Sequence, residues 1–187
     1  MPLSDSAILA AVENGEIKIT PFRRGCLQPN SYDLHLGSSL LLYTERILDA
    51  KREHLTREVP IGDEGLVLEP GELYLGVTEE HTEASPTLVP YLDGKSSVGR
   101  LGLWVHVTAG GGDAGFSGAW TLELVAVKPV RIYPGMPIAQ IRYEPAIGEV
   151  SHPYGRSTSK YQQQPGQPVA SRMWKNWNGT SWLPEEG

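Results

Sequence analysis

A single cysteine, Cys26, in 187 residues has nothing within the chain to pair with. That excludes an intrachain disulfide framework and any Cys-x-x-Cys metal site, and it makes the lone thiol a small buried hydrophobe before it is a nucleophile. Basic excess is missing as well. With 16 Lys and Arg against 22 Asp and Glu, the formal net charge is -6, so the surface as a whole does not attract nucleic acid, although a local basic pocket can still take a polyphosphate. No apolar run approaches the ~20 residues that cross a bilayer. The opening Met1-Pro-Leu-Ser-Asp5 has neither the basic region nor the apolar stretch of a secretory signal. The expectation is a soluble cytoplasmic chain with no nucleic-acid or membrane partner.

Glycine and proline, at 21 and 15 residues, are plentiful, and 40% of the chain is apolar. This suits a loop-rich globular chain rather than a helical bundle, and the length suits a single domain over 1–187. Ser4 caps a predicted helix from Asp5 to Asn14, with Ile8, Leu9 and Val12 on one face and Gly15 placed to end it. No other substantial helix is expected. Leu34 and Leu36, then Leu73, Leu75 and Val77, then Leu103, Val105 and Val107, then Trp120, Leu122 and Leu124 recur with the alternation of half-buried strands. Pro70-Gly71, Asp93-Gly94, Gly110 to Gly112 and Pro134-Gly135 read as turns between them. The fold class is therefore mainly β, a distorted β-barrel or jelly roll with a short N-terminal helix.

Two stretches break the pattern. Glu45 to Glu64 is polar and weakly patterned, a surface excursion to which no chemistry is assigned. From His152 onward the chain turns to Ser, Tyr, Gln, Pro and Gly, with Trp174, Trp177 and Trp182 near its end. So much aromatic area argues that 152–187 is a tail that docks on a neighbouring subunit or over a ligand.

Three segments can carry chemistry. Gly94-Lys95-Ser96-Ser97 looks superficially like a phosphate-binding P-loop, but Val89 occupies the place of that motif's first glycine. What survives is Lys95, Ser96, Ser97 and Arg100 clustered after a turn, either a polyphosphate cradle or a solvated polar turn. The second segment is Thr108 to Phe116, where Gly110, Gly111 and Gly112 permit close backbone approach and Asp113 either accepts a sugar hydroxyl or caps a turn. The third is Glu123, which alternation puts on the face opposite Leu122 and Leu124, facing solvent or a site. His35, His54, His81, His106 and His152 have no metal-cluster spacing, and Tyr32 and Trp104 read as packing residues.

Taken together and in order, Asp93-Gly94-Lys95-Ser96-Ser97-Val98-Gly99-Arg100-Leu101-Gly102-Leu103, the Thr108 to Phe116 loop and Thr121-Leu122-Glu123-Leu124 resemble the core of the dCTP deaminase family. The resemblance extends to Gln28-Pro29-Asn30-Ser31-Tyr32-Asp33, to Pro134 through Gln140 and to Ser159-Lys160-Tyr161-Gln162, and so covers nearly the whole chain. It implies a dUTPase-like β-fold, a homotrimer with active sites where subunits meet, a dCTP or dUTP nucleotide as substrate, and a C-terminal segment that closes over it. By the family's pattern Ser96 and Arg100 contact the triphosphate with Lys95 and Ser97 in support, and Asp113 holds the deoxyribose 3'-hydroxyl. Tyr154, Lys160 and Gln164 add contacts from the closing segment and Gln140 a further one. Backbone groups around Thr108 and Ala109 and near Thr121 read the cytosine edge.

The implied chemistry needs no zinc, and the chain lacks the Pro-Cys-x-x-Cys segment on which zinc-dependent deaminases rely. Glu123 takes a proton from water, passes it to cytosine N3 and assists the departure of ammonia. For that it must be shielded enough for its pKa to rise towards neutrality. Mg²⁺ is expected to come bound to the substrate's phosphate oxygens.

Thr108-Ala109-Gly110, Asp113-Ala114-Gly115-Phe116 and Leu122 through Ala126 resemble the bifunctional, dUMP-forming members, whereas deaminase-only members resemble Thr-Ala-His at the first of these places. One departure stands at this bifunctionality loop. After Gly110 the bifunctional members carry a bulky aromatic and an isoleucine, and this chain has Gly111 and Gly112. The expected consequence is a freer loop, at an entropic cost of about 0.5–1 kcal/mol per glycine relative to alanine. Competing expectations are a deaminase that stops at dUTP, a dUTPase, and a non-catalytic nucleotide-binding regulator.

Overall fold

The computed structural model describes residues 1–105, 109–155 and 159–177. The Ser4 hydroxyl accepts from the Ala7 amide (3.4 Å) and starts α1 (Asp5–Glu13), which buries Ile8 and Ala11 and gives way to Gly15 at φ +82°. The strands follow as β1 (Ile17–Thr20), β2 (Leu27–Gln28), β3 (Ser31–His35), β4 (Ser39–Tyr43), β5 (Thr56–Pro60), β6 (Leu66–Leu68) and β7 (Tyr74–Val77). The second half carries β8 (His81–Ala84), β9 (Leu88–Gly94), β10 (Leu103–Val105), β11 (Ser117–Gly118), β12 (Thr121–Ala126), β13 (Val130–Ile132) and β14 (Pro137–Pro145). A short helix, α2 (Ser96–Arg100), separates β9 from β10.

The strands associate as β10-β12-β7-β4-β5, β2-β3-β14-β9, β1-β8-β11 and β13-β6. Their pairings among the described residues are antiparallel. The sheets stay open instead of closing on themselves, so the jelly roll is the member of the expected pair that fits. Leu122 and Leu124 of β12, Tyr32 and Leu34 of β3, Leu92 of β9, and Ile141 and Tyr143 of β14 belong to one buried core. Each large apolar side chain fully buried there contributes about 1.5–3 kcal/mol. No helix among the described residues is long and apolar enough to cross a membrane.

Three readings of the sequence need correction. Asp93-Gly94 is not a turn but the end of β9, paired with Gln140 and Ala139 of β14. Gly94 serves close packing, since a Cβ there would lie 3.4 Å from Val105 Cβ, and the chain bends only beyond it, into α2. The Glu45 to Glu64 stretch contains a strand, because β5 pairs with β4 from Ser39↔Pro60 to Tyr43↔Thr56. As an edge strand β5 buries little, so its sequence shows no apolar alternation. Leu73 lies just outside β7, whose residues are all buried rather than alternating. Val107 and His106 fall outside the described residues.

Tyr32 and Tyr143 are both fully buried. Burial pushes the Tyr32 phenol up to about 12, an effect partly offset by the Arg23 amide that donates to its oxygen (2.7 Å). Burial also raises the Tyr143 phenol. A phenol whose folded-state value lies above its ordinary 10.0 stabilises the fold fully below that value and ceases to do so as pH climbs through the folded-state value. Chemical-denaturation midpoints are therefore expected to fall between about pH 10 and 12, and Tyr32→Phe should flatten part of that fall.

Candidate active site

The alternation of β12 decides the site. Leu122, Leu124 and Ala126 point into the core, so Thr121, Glu123 and Val125 point the other way. On that side lies a cavity of about 420 Å³ lined by Glu123 and Thr121, by Ala109, Gly111, Gly112 and Asp113 of the glycine loop, and by Tyr43, Tyr154 and Gln164. Glu123 is thus half-buried in a pocket rather than facing open solvent.

The glycine loop is seated along β9. Leu92 donates its amide to the Gly110 carbonyl (2.6 Å), Gly112 donates to the Pro90 carbonyl (2.8 Å), and Gly111 bridges to Tyr91. The glycines that were expected to free the loop instead let its backbone lie flat on a strand. Asp113 follows, and its turn closes through its backbone carbonyl, which accepts from the Phe116 amide (3.1 Å). Asp113 lines the cavity and also a neighbouring hollow of about 450 Å³ that includes Tyr154, His152 and Ser159.

The tail covers this cavity from within the same chain. Thr121 Oγ1 accepts from Gln164 Nε2 (2.6 Å) and from the Val169 amide (3.0 Å), and the Tyr43 hydroxyl accepts from the Ser171 amide (2.9 Å). Tyr154 accepts from the Tyr161 amide (2.9 Å) and packs beside Phe116, and burial pushes its phenol up. Lys51 Nζ lies 4.7 Å from the Trp177 ring centre, so the Glu45 to Glu64 excursion also meets the tail. Trp182 and Thr108 fall outside the described residues. Lys160 belongs to the covering segment through its carbonyl, which accepts from Arg172, but its side chain does not line the cavity.

The remaining expected residues lie elsewhere on the chain. Ser96, Ser97 and Arg100 project from α2, anchored by buried Val98, and are exposed. Ser96 and Lys95 border a different groove of about 350 Å³, with Trp104 and Val105. Lys95 Nζ pairs with the Asp33 carboxylate, which also accepts from Gln28 Nε2 (3.2 Å). Gln140 sits in register between Asp33 and Asp93 on the four-stranded sheet. Within one chain, then, Glu123, Asp113, Ala109, Gly111, Thr121, Tyr154 and Gln164 come together, while Lys95, Ser96, Ser97, Arg100 and Gln140 do not join them. Sequence reasoning missed Tyr43, Trp120, Tyr161 and Val169 as parts of the cavity. No local pattern marks them, because each is placed by a long-range contact.

A second polar cluster surrounds buried Glu80. His35 Nδ1 lies 2.6 Å and Arg23 Nη1 2.9 Å from its Oε1, the His35 amide donates to its Oε2 (2.8 Å), and Arg23 Nη2 donates to Glu79 (3.1 Å). The ligand atoms of His35, Glu79 and Glu80 lie within 4.8 Å of one another. Arg23 and His35 pair with the same Glu80 oxygen, so these groups form an ion-pair cluster among themselves. Burial raises the neighbouring Cys26 thiol away from the reactive thiolate.

Thr121→Val keeps the side chain's shape and removes the oxygen that holds Gln164 and Val169. Two hydrogen bonds at about 0.5–1.5 kcal/mol each predict a closed segment weakened by roughly tenfold. Trypsin should then cut sooner after Lys160 and Arg172 while the circular dichroism spectrum is unchanged; equal cutting would mean that the segment is held elsewhere.

Comparison with known proteins gives three independent likenesses. The family model described as dCTP deaminase-like matches residues 2–146. A Hathewaya histolytica protein named dCTP deaminase, dUMP-forming, is 53% identical over 154 residues, 82% of this chain and 87% of the relative. A Leptospira biflexa protein of the same name is 50% identical over 151 residues, 81% of this chain and 84% of the relative. Among solved structures, the 2'-deoxycytidine 5'-triphosphate deaminase of Agrobacterium tumefaciens matches with a TM-score of 0.62 and 25% identity. That match covers 78% of this chain but only 48% of the Agrobacterium chain. The family model over most of the chain and relatives about half identical to it make the chain a member of the dCTP deaminase-like family.

Proposed function

We propose that this chain deaminates dCTP and cleaves the triphosphate, leaving dUMP, pyrophosphate and ammonia, as a cytoplasmic hydrolase of pyrimidine deoxynucleotide metabolism. One observation carries the reading: Glu123 and Asp113 face a single cavity roofed by the chain's own tail. The names of the Hathewaya and Leptospira relatives support dCTP as substrate and dUMP as product.

In this reading Glu123 is the catalytic residue. It accepts a proton from a water beside cytosine C4 and delivers it to N3, and the resulting hydroxide adds to C4, which protonation of N3 has made electrophilic. The tetrahedral centre then collapses, the C4–N4 bond breaks and ammonia leaves with a proton returned through the same carboxyl. Asp113 accepts the 3'-hydroxyl of the sugar. Backbone groups at Ala109 and Thr121 meet the base, and Gly110 and Gly111 place the loop beside it. The roof over the cavity excludes bulk water, which strengthens each of these contacts.

The triphosphate falls to a different part of the protein. A cavity that holds two carboxylates is a poor seat for phosphates, and the cationic Lys95 and Arg100 lie apart from it at α2 with Ser96 and Ser97. A homotrimer in which α2 of one subunit borders the cavity of another supplies the missing half, with Gln140, Tyr154, Lys160 and Gln164 as further contacts. Exposed Leu101, Trp104 and Val127 beside α2 support such a contact, since apolar groups gathered in this way are usually covered. Mg²⁺ enters as part of the substrate, held by phosphate oxygens, and the reaction needs no zinc.

The test is anion-exchange analysis of products after incubation with dCTP and, separately, with dUTP in the presence of Mg²⁺. The expected result is dUMP and pyrophosphate from dCTP. dUTP as the final product would leave a deaminase only, hydrolysis of dUTP alone would leave a dUTPase, and no turnover would leave a nucleotide-binding protein. Glu123→Gln should lower ammonia release at least about a hundredfold, the usual weight of a general base. Calorimetry should still show nucleotide binding in that variant, and undiminished ammonia release would overturn the role given to Glu123.

A further inference from the structure

Trp120 stands immediately before β12, lines the same cavity as Glu123, and has every polar group committed. Its amide donates to Thr78 Oγ1 (2.9 Å), its carbonyl accepts from the Thr78 amide (3.0 Å), and its indole Nε1 donates to Thr82 Oγ1 (2.8 Å). Thr78 Oγ1 in turn donates to the Glu80 carbonyl (2.8 Å). The ring packs 4.4 Å from that of Phe116, and the residue is 6% exposed. An indole held by its backbone, its nitrogen and its face has little room to move.

The far edge of that indole rests on Gly112. A Cβ at this position would lie 2.4 Å from Trp120 Cη2, 2.9 Å from Pro90 Cγ and 3.2 Å from the Pro90 carbonyl oxygen. At Gly111 the contrast is plain, since a Cβ there would meet only Tyr91, at 3.7 Å. Gly112 is therefore required for space. Its backbone lies between Trp120 and Pro90, and its amide hydrogen bond to the Pro90 carbonyl depends on that fit.

We propose that Trp120 is a positioning residue for the reaction: its fixed indole edge, seated on bare Gly112, sets how closely the glycine loop lies on β9 and so where Asp113 stands relative to Glu123. The inference rests on the function proposed above, in which those two carboxylates act on one nucleotide. A methyl group at position 112 must move either the loop or the indole, and overpacked sites of this kind do not yield freely. Phenylalanine at position 120 lacks the distal ring atoms and so removes the tighter contact, at 2.4 Å, while Pro90 Cγ at 2.9 Å remains to be met by a smaller shift.

Four proteins decide it: the parent, Gly112→Ala, Trp120→Phe and the double variant, each checked for folding by circular dichroism. Hydrogen exchange at Gly110 to Ala114 reads the seating of the loop without any nucleotide. Steady-state turnover of dCTP reads its consequence. Gly112→Ala should exchange faster in the loop and lose at least about tenfold in kcat/KM, with kcat lowered as well as KM raised, because a substrate that Asp113 holds out of line with Glu123 loses rate. The double variant should exchange more slowly in the loop and turn over faster than Gly112→Ala, the partial rescue and non-additivity expected of touching residues when the Pro90 contact remains. A Gly112→Ala protein as protected and as active as the parent overturns the inference, and so does a double variant no better than Gly112→Ala. Exchange that changes while turnover does not would leave packing without positioning, which also overturns it. A parent that turns over no nucleotide ends the proposed function, while the exchange comparison still reports whether the indole seats the loop.

Discussion

Successive side chains of a β-strand leave on opposite sides, and in β12 this constraint separates the core from the chemistry. Leu122 and Leu124 are fully buried, and the residue between them, Glu123, has no choice but to face the cavity. β12 is hydrogen-bonded on both edges, to β10 and to β7, so it cannot slip in register without expelling its leucines from the core. The position of the proposed general base is thereby tied to a strand paired on both edges and packed into the core on one face. The same strand begins with Thr121, whose hydroxyl oxygen holds the tail, and is preceded by Trp120, whose ring meets the glycine loop.

Around this rigid strand the cavity is completed by parts of quite different stability. The glycine loop is laid on β9 by backbone hydrogen bonds and needs no side chains of its own to stay there. The tail is attached by a bridge of Gln164 to Gly118, by backbone hydrogen bonds from Gln163 to Ser117 (2.7 Å) and from Ala119 to Gln164 (3.0 Å), and by hydrogen bonds to Thr121 and Tyr43, with Lys51 beside Trp177. Beyond that bridge the attachment rests on single hydrogen bonds from Val169 and Ser171, so the stretch from 165 onward is the part of the roof that opens at least cost. The charge arrangement follows the same division. Glu123 faces the cavity half-buried and Asp113 lines it while exposed, whereas Ser96, Ser97 and Arg100 stand in solvent on α2, away from that cavity.

Much of this was legible before any coordinates. Ser4 and Gly15 bounded the helix, Pro70-Gly71 and Pro134-Gly135 marked turns with their glycines at positive φ, and the Leu122–Leu124 alternation put Glu123 on the far face. These are local effects, governed by capping, glycine conformation and strand geometry. Asp93-Gly94 misled because a glycine wanted for close packing against Val105 looks the same in sequence as one wanted for a turn. β5 was missed because neither of its faces is buried, so its sequence has no apolar alternation. The pairing of the glycine loop with β9 was not legible from Gly111 and Gly112, since a bare backbone that loosens a loop can also lie closely on a strand.

The sequence by itself determined the class of fold, the face on which Glu123 lies and the order of the motifs that resemble the dCTP deaminase family. Capping, turn formation and strand alternation act over a few residues, and a few residues suffice to read them. Tertiary structure alone decided that Thr121 would hold Gln164 and Val169 from more than forty positions away, that Tyr43 would receive Ser171, and that Trp120 would occupy the space above Gly112. It also decided that Ser96 and Arg100 stand apart from Glu123 within one chain. Such contacts arise from the packing of whole sheets against one another, and no local pattern encodes which distant residue will be brought alongside.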